Sequence, residues 1–389
     1  LVLSAALPRA RRSPGAGFVS LIAALLALAT AALAAPVWAH LPWSIGLAGT
    51  GMILAAALAA WIGAALQTSG SGRAALRAFC IGLVVAGVAS SAIGIVQVFA
   101  PGLADGDWVA KTYIVGRAVG NLRQPNHLSS LLVWATIAAV WLADAGVLRR
   151  WLGAALALLF IFVIVLTASR TGTVSVVLLL VWGALDKRLA RPTRILLCLA
   201  PIAYGVFWFG TSAWADYSHH VFGGEARFST KGDISSSRWG IWSNTLALIA
   251  MHPWAGVGFG EFNFAWTLTP FPGRPVAFFD HSHNIVLQFA AELGLPLATL
   301  VLALLGFALF RAWRMAQDSA RRAALVMVLM ILLHSLLEYP LWYAYFLLPA
   351  AFAFGLCLGG PGDADDRVNS TVPAEPRRAW APLTAALLL

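Results

Sequence analysis

The chain has 389 residues, of which 60% are hydrophobic and only 11% are charged. Soluble globular proteins have about 25% charged residues, so the composition excludes that class and indicates a membrane protein. The formal net charge of +10 is explained below by membrane topology, and no nucleic-acid partner is expected.

Apolar stretches recur along nearly the whole chain, and a membrane-spanning helix needs roughly 20 such residues. We therefore expect an all-α polytopic membrane protein with about ten to eleven transmembrane helices. The ten clearest spans are residues 17–37, 45–66, 78–100, 127–143, 151–168, 171–186, 194–211, 284–310, 323–338 and 341–358. The last residues, APLTAALLL, resemble the start of a further span that is cut short.

The spans divide the chain into N-terminal transmembrane helices, a large loop, C-terminal transmembrane helices, and a cytoplasmic loop that leads into the truncated span. These parts are residues 1–211, 212–283, 284–358 and 359–389. With the N-terminus inside, 18 of the 26 Lys and Arg lie in inner connections, as the positive-inside rule requires. Topology does not require the eight outer ones, so they are candidates for function. They are Lys111, Arg117, Arg123, Arg170, Arg227, Lys231, Arg238 and Arg274.

The first outer segment, GRAVGNLRQPNHLSS, collects hydrogen-bonding groups directly before the fourth span. Its candidate residues are Arg123, Gln124, Asn126 and His127. The segment is either a solvated loop with an Asn/His helix start or a contact site for an anion or a sugar.

Two arginines have the chemistry of phosphate ligands, because a guanidinium is a planar, permanently charged fork. Arg170, in LTASRTGTVS, lies between two apolar runs, where it either snorkels to headgroups or binds phosphate. Arg238 begins a stretch with Trp239, Trp242, Leu246 and Ile249 at helical spacing. This pattern predicts an amphipathic helix on the outer leaflet of the membrane, with its tryptophans at the interface. The following GVGFG lacks the strand and helix of a dinucleotide site, so we reject that match.

The stretch FFDHSHNIVLQFAAELGLP is the richest in polar groups. Asn284, Gln288 and Glu292 recur at intervals of four, which predicts one polar stripe facing into the bundle. The nearby aspartate and histidines fit no standard zinc spacing. A histidine that accepts a proton from a hydroxyl, or orients a substrate, fits the pattern better.

A last polar cluster lies in LLHSLLEYPLWYAYF. Here His334 and Glu338 are four residues apart, which predicts that they share one helix face, and Tyr339 follows at the outer turn. A purely structural His/Glu pair is one interpretation, and a part of the active site is the other.

In chain order, GNLRQPNHLSS, SRTG, SSRWGIW, HSHNIVLQFAAELGLP and HSLLEYPLWYAYFLLPAAF resemble the motifs of the O-antigen ligase and polymerase superfamily of bacterial inner-membrane glycosyltransferases. The resemblance spans roughly residues 75–358 and is closest to the pilin-type protein O-oligosaccharyltransferases. It implies transfer of a glycan from an undecaprenyl-pyrophosphate donor, on the periplasmic face of the membrane, to a Ser or Thr of pilin or another exported protein.

The resemblance also implies roles for single residues. His283 matches the essential histidine, Arg170 and Arg238 match the pyrophosphate-binding arginines, and Gln124 and Tyr339 match the glutamine and tyrosine of the protein-transferring branch. Further substrate contacts are expected from Arg123, Asn126, His127, His281, Asn284 and Glu338. The expected reaction is inverting and uses neither a metal nor a cofactor, and membrane lipids surround the enzyme.

Two alternatives remain open at this point. A ligase that acts on the lipid A core, or an O-antigen polymerase, would use the same donor and the same site. A transporter of the lipid-linked glycan is a different class, and inverted repeats with discontinuous helices would favour it.

Overall fold

A computed structural model describes residues 15–39, 42–225, 238–271 and 279–360. Several sequence predictions concern residues outside these ranges. They are the inner basic residues Arg9, Arg11, Arg12, Arg367, Arg377 and Arg378, the outer basic residues Arg227, Lys231 and Arg274, and the truncated C-terminal span. Within the described ranges the chain is helical and contains no strand.

Twelve α-helices are named here in chain order. They are α1 Ala16–Trp38, α2 Trp43–Thr68, α3 Gly72–Phe99, α4 Pro125–Asp144, α5 Arg150–Thr167, α6 Arg170–Leu185, α7 Arg191–Ser218, α8 Arg238–Met251, α9 Phe262–Leu268, α10 Ile285–Met315, α11 Ser319–Ser335 and α12 Ala344–Leu358. Short 3₁₀ turns cover Pro101–Leu103 and Pro340–Trp342.

Each of the ten expected spans falls on one of these helices. Seven described helices, α1 to α5, α7 and α10, are long and apolar enough to cross a membrane, whereas α6 and α12 are apolar but shorter. The expected all-α polytopic membrane fold is therefore confirmed. That all ten helices cross the membrane stays a prediction.

Helix α7 is longer than the expected span 194–211, because it continues to Ser218, and the boundary of the large loop at residue 212 stays a prediction. The apolar run ends near Thr211, but backbone hydrogen bonds extend the helix through polar residues. The hydroxyls of Thr211 and Ser218 even turn back to the carbonyls of Phe207 and Trp214. The helix stops at His219, whose left-handed conformation, with φ of +54°, caps it.

The described residues form two compact units. The first contains α1, α2 and α8 to α12, and in it α12 packs along α2 and α1 packs against α2 and α10. Small residues permit the close approach of α2 and α12, as is common between membrane helices: Ala60 is fully buried, and a Cβ on Gly63 or Gly355 would overlap the backbone of the facing helix. The second unit, Arg77–Gly232, packs α4 against α5 and α6 against α7.

Helix α10 is broken at Gly294, where φ is +75° and ψ is 163°. Only glycine adopts this conformation readily. Two residues later, Pro296 lacks the N–H that an unbroken helix would offer to the carbonyl of Glu292. The break therefore removes the intrahelical partners of several backbone groups, and such groups are costly to leave unpaired inside a membrane protein.

The loop after α8 supplies replacement partners for these groups. Val257 N–H donates to the carbonyl of Ala291 over 2.9 Å, and Gly258 N–H donates to the carbonyl of Glu292 over 3.0 Å. In return, Leu295 N–H donates to the carbonyl of Pro253 over 2.8 Å. The GVGFG sequence thus has a structural role, because it lets one backbone lie directly on another.

Gly256 shows how tight this contact is. Its φ is +67°, and a Cβ at this position would lie 2.5 Å from backbone atoms of Glu292 and Gly294. We predict that Gly256→Ala lowers the free energy of unfolding by about 2 kcal/mol or more, since left-handed strain and backbone overlap both oppose it. The measurement is the apparent melting temperature of the purified protein in detergent.

Gly306→Ala is the matched control, because Gly306 lies on the helix that Gly256 contacts and a Cβ added there would meet nothing within 4 Å. It should leave the melting temperature unchanged or slightly raised. Equal melting temperatures for the Gly256→Ala variant and the wild type would show that the loop does not pack on the break as described.

Candidate functional site

The segment before α10 is held in a fixed and strained conformation. His283 has φ of +55°, which costs a non-glycine residue on the order of 1 kcal/mol or more. Asn284 ends the segment and caps α10, because its side-chain oxygen accepts from Val286 N–H over 3.0 Å and from Leu287 N–H over 3.2 Å. The asparagine predicted as a substrate contact therefore also has a helix-capping role.

Glu338 joins the histidine to an arginine from another segment. Its Oε2 lies 2.7 Å from Nδ1 of His283, and its Oε1 accepts from the guanidinium of Arg238. Arg238, the first residue of α8, also donates to the carbonyl of Leu337. Three of the predicted site residues, far apart in sequence, thus meet at one carboxylate.

The prediction that His334 and Glu338 share one helix face was wrong, although His334 still interacts electrostatically with Glu338. Helix α11 ends at Ser335, and the backbone N–H of Glu338 donates to the carbonyl of His334 over 2.8 Å as the chain turns. The Glu338 carboxylate is thereby directed to His283 and Arg238. A continuing helix was expected because four-residue spacing is typical of one, but Pro340 favours an earlier end.

Electrostatics keep Glu338 ionised although its side chain is only 7% exposed. Burial alone would raise the pKa of Glu338, but the hydrogen bond to His283 and the electrostatic interactions with His283 and Arg238 outweigh burial and lower it to about 2. An ionised carboxylate only accepts hydrogen bonds, so Nδ1 of His283 is the donor. Nε2 is then the ring nitrogen that can exchange a proton with a substrate.

Aromatic rings surround the two histidines of the motif. Tyr339 stacks on His281 with ring centres 4.1 Å apart, and it lies at 75° to the ring of His283 with ring centres 5.2 Å apart. Nδ1 of His281 lies 3.1 Å from Oδ1 of Asp280. Burial raises the pKa of Tyr339 well above its usual range, so the phenol stays a neutral hydrogen-bond donor at physiological pH.

The predicted polar stripe of α10 is present. Gln288 and Glu292 are 2% and 1% exposed, and Nε2 of Gln288 donates to Oε1 of Glu292 over 2.9 Å. The predicted helix is present as α8, with Trp239 and Leu246 exposed and Ile249 buried. That its exposed apolar residues lie on the outer leaflet of the membrane stays a prediction.

The second unit contains the remaining predicted residues. Gln124 caps α4, since its side-chain oxygen accepts from His127 N–H over 2.8 Å. Asn126 accepts from Oγ of Ser169 over 2.7 Å, and Ser169 caps α6, which begins at Arg170. A helix thus starts in this segment as expected, but its cap is Gln124 instead of an Asn or His, and His127 is buried. Binding by Gln124, Asn126, His127, Arg123 and Arg170 stays a prediction.

Sequence reasoning missed Gln97, a buried glutamine near the end of α3. Its side-chain oxygen accepts from Val119 N–H over 2.9 Å and from Gly120 N–H over 2.8 Å, and its amide donates to the carbonyl of Ala110 over 2.7 Å. It thus fixes the loop that leads to Gln124. A lone glutamine inside an apolar run was the available signal, because such a residue needs partners.

The ionised Glu338 predicts a pH dependence of stability. Its folded pKa of about 2 lies below the ordinary value of 4.5, so its contribution, about 3 kcal/mol at most, is complete above pH 4.5 and is lost as the pH falls towards 2. Glu338→Gln should therefore destabilise the protein most near neutral pH. The check is the difference in melting temperature between variant and wild type across that range.

Glu261→Gln is a control of opposite sign, because burial raises the pKa of Glu261 and its ionisation opposes folding. That variant should not be destabilised at neutral pH. A difference between wild type and Glu338→Gln that stays constant from pH 7 to pH 3 would contradict an ionised, paired Glu338.

No cluster of three His, Cys, Asp or Glu that could hold a metal ion occurs within residues 15–39, 42–225, 238–271 and 279–360. The site around His283 is built from organic donors and acceptors: an imidazole, a guanidinium, a carboxylate and a phenol. Such groups can bind an anion and move a proton.

Comparison with known proteins gives three family matches along the chain. Residues 154–302 match the O-antigen ligase family, residues 118–143 match the protein glycosylation ligase family, and residues 322–388 match the C-terminal part of virulence-factor membrane-bound polymerases. These segments include Gln124, Arg170, Arg238, His283 and Tyr339.

Two relatives come from Acinetobacter baylyi. A general O-oligosaccharyltransferase is 28% identical over 250 residues, which cover 62% of this chain and 43% of the relative. A ComP-specific O-oligosaccharyltransferase is 25% identical over 251 residues, which cover 62% of this chain and 44% of the relative. The chain thus matches less than half the length of these relatives. Together, the matches confirm the similarity of this multi-pass membrane protein to the superfamily of O-antigen ligases and protein O-oligosaccharyltransferases.

Proposed function

We propose that the chain transfers a glycan from an undecaprenyl-pyrophosphate donor to Ser or Thr hydroxyls of exported proteins such as pilin. The reaction would take place at the bacterial inner membrane, with the active site facing the periplasm. The observation that carries the proposal is the meeting of His283, Arg238 and Glu338, since it provides a proton acceptor beside a fixed cation. The two O-oligosaccharyltransferase relatives support it.

In this proposal His283 acts on the acceptor. Glu338 fixes the proton on Nδ1 and stabilises the imidazolium that forms when Nε2 takes the hydroxyl proton, as a carboxylate does beside a catalytic histidine. The side chain of His283 is 17% exposed, so a substrate can reach it. The acceptor oxygen then attacks the first sugar, and the pyrophosphate leaves.

Arg238 acts on the leaving group. It binds Glu338 and the carbonyl of Leu337, yet a guanidinium has five N–H donors, which leaves donors for phosphate oxygens. Charge develops on the pyrophosphate as the sugar departs, and a cation that is already in place stabilises it. Arg170 is proposed as a further phosphate ligand on the strength of the family resemblance and its charge.

A lipid A core ligase or an O-antigen polymerase is the second candidate. The matches of residues 154–302 and 322–388 to ligase and polymerase families favour it. The discriminating experiment follows the transferred sugar with purified protein and a lipid-linked glycan. A mass increase of the pilin supports protein glycosylation, whereas labelled lipopolysaccharide or a longer lipid-linked chain supports this alternative.

One feature of the structure is shared with transporters, but it does not support a transport function. Helix α10 is discontinuous, as in many transporters. However, the carbonyls of Ala291 and Glu292 and the N–H of Leu295 are bonded to the loop at Pro253–Gly258. These groups are therefore already satisfied by protein and do not need a transported ion or substrate.

The first test of the proposal is His283→Ala. Loss of a general base lowers rates by about 10²- to 10⁴-fold, so transfer to pilin, followed by intact mass, should fall by at least about 100-fold. His252→Ala is the control, because His252 is an exposed histidine of the same unit and should retain wild-type transfer. A fully active His283→Ala variant would disprove the role of this histidine.

The second test is Arg238→Lys. Lysine keeps the charge, but its compact ammonium group lacks the planar fork of a guanidinium. It therefore cannot bind Glu338, the carbonyl of Leu337 and a phosphate at the same time. We expect transfer to fall by about tenfold or more, with a raised KM for the donor. Retention of the wild-type rate and KM would argue against phosphate binding by the guanidinium.

A further inference from the structure

The strained backbone at His283 depends on Ser282, which is fully buried. Three bonds fix this residue. Its N–H donates to Oε1 of Gln288 over 2.7 Å, its carbonyl accepts from Nε1 of Trp242 over 3.1 Å, and its hydroxyl donates to the carbonyl of Asn284 over 2.9 Å. A backbone in an unfavourable conformation persists only when its surroundings determine it in this way.

Gln288 is itself oriented by a second buried side chain. Its amide nitrogen donates to Oε1 of Glu292 over 2.9 Å, so its oxygen must point to Ser282. Glu292 lies at the break of α10, where its backbone carbonyl accepts from Gly258 N–H over 3.0 Å. A continuous chain of contacts thus runs from the helix break through Glu292 and Gln288 to Ser282, the neighbour of His283.

We propose that Gln288, oriented by Glu292, is a positioning residue that holds His283 where Nδ1 meets Glu338. This inference rests on the proposed function for its catalytic consequence, but the geometry of His283 can be measured without any reaction. Only an amide suits position 288, because it accepts from Ser282 with one atom and donates to Glu292 with the other. A carboxylate at 288 would accept from Ser282, but it would have no donor for Glu292 unless the two carboxyl groups took up a shared proton.

Exchanging the amide at position 288 and the carboxyl group at position 292, one at a time and together, tests this inference. In Glu292→Gln, the new amide oxygen still accepts from Gln288, so kcat should stay within about threefold of wild type. In Gln288→Glu, the two carboxyl groups can bond to each other only by sharing a proton. Every measurement on this variant is therefore made at a pH high enough to remove that proton, where kcat should fall by about tenfold or more, since small displacements of a catalytic group are costly. KM for the acceptor should be unchanged in both variants.

The double variant Gln288→Glu with Glu292→Gln exchanges the groups and restores both bonds. The carboxylate at 288 accepts from Ser282 and from the amide at 292, so kcat should return to within about threefold of wild type. Ser20→Ala is the matched control. It removes a part-buried hydrogen bond to the carbonyl of Leu304 on α10, beyond the break, and should lower the melting temperature without changing kcat.

A spectroscopic measurement separates this inference from the proposed function. The Nδ1 proton of His283, bonded to Glu338, should give a downfield NMR signal in ¹⁵N-histidine-labelled protein, identified by its loss in His283→Ala. The signal should be lost in Gln288→Glu and return in the double variant. If wild type transfers no glycan but the signal follows this pattern, the proposed function fails and the positioning role stands.

Two results would overturn the inference. One is a Gln288→Glu variant with wild-type kcat and an unchanged signal, and the other is a double variant no better than Gln288→Glu. If Gln288→Glu does not accumulate, Trp242→Phe replaces it, because it removes the donor to the carbonyl of Ser282. Unchanged kcat and an unchanged His283 signal in Trp242→Phe would equally contradict the positioning of His283 through Ser282.

Discussion

The site depends on one buried carboxylate that is shared by a histidine and an arginine. Glu338 is taken out of water beside a membrane, which is unfavourable for a charge unless partners surround it. His283 and Arg238 are those partners. Their contacts with the Glu338 carboxylate join three segments that are distant in sequence. The same contacts fix the proton on one nitrogen of His283 and orient the guanidinium, so stability and the proposed chemistry have a common origin.

The second constraint is the membrane's intolerance of unpaired backbone groups. Helix α10 is broken at Gly294, and the loop after α8 repairs the break with its own hydrogen bonds. Since α8 begins at Arg238 and the first half of α10 follows His283, this repair holds the two elements that carry the site against each other. The contacts at the break thus help to position Arg238 and His283.

The sequence was sufficient to predict the helical membrane fold, because apolar runs of the required length are direct physical signals. The sequence also identified Arg238, His283 and Glu338 individually, because polar groups cost free energy near a membrane and usually have a function or a partner. It did not reveal that Glu338 turns away from its helix, or that GVGFG repairs α10. Both depend on backbone groups that meet across the fold, and residue spacing contains no information about such partners.

We propose that the carboxylate of Glu338 organises His283 and Arg238 around the donor. The most direct measurement is a cryo-electron microscopy structure of the protein in a lipid nanodisc with an undecaprenyl-pyrophosphate glycan bound. We expect a phosphate oxygen within hydrogen-bond distance of Arg238, with Nδ1 of His283 still bonded to Glu338 and Nε2 facing the sugar. A pyrophosphate away from Arg238, or a His283 ring detached from Glu338, would contradict it.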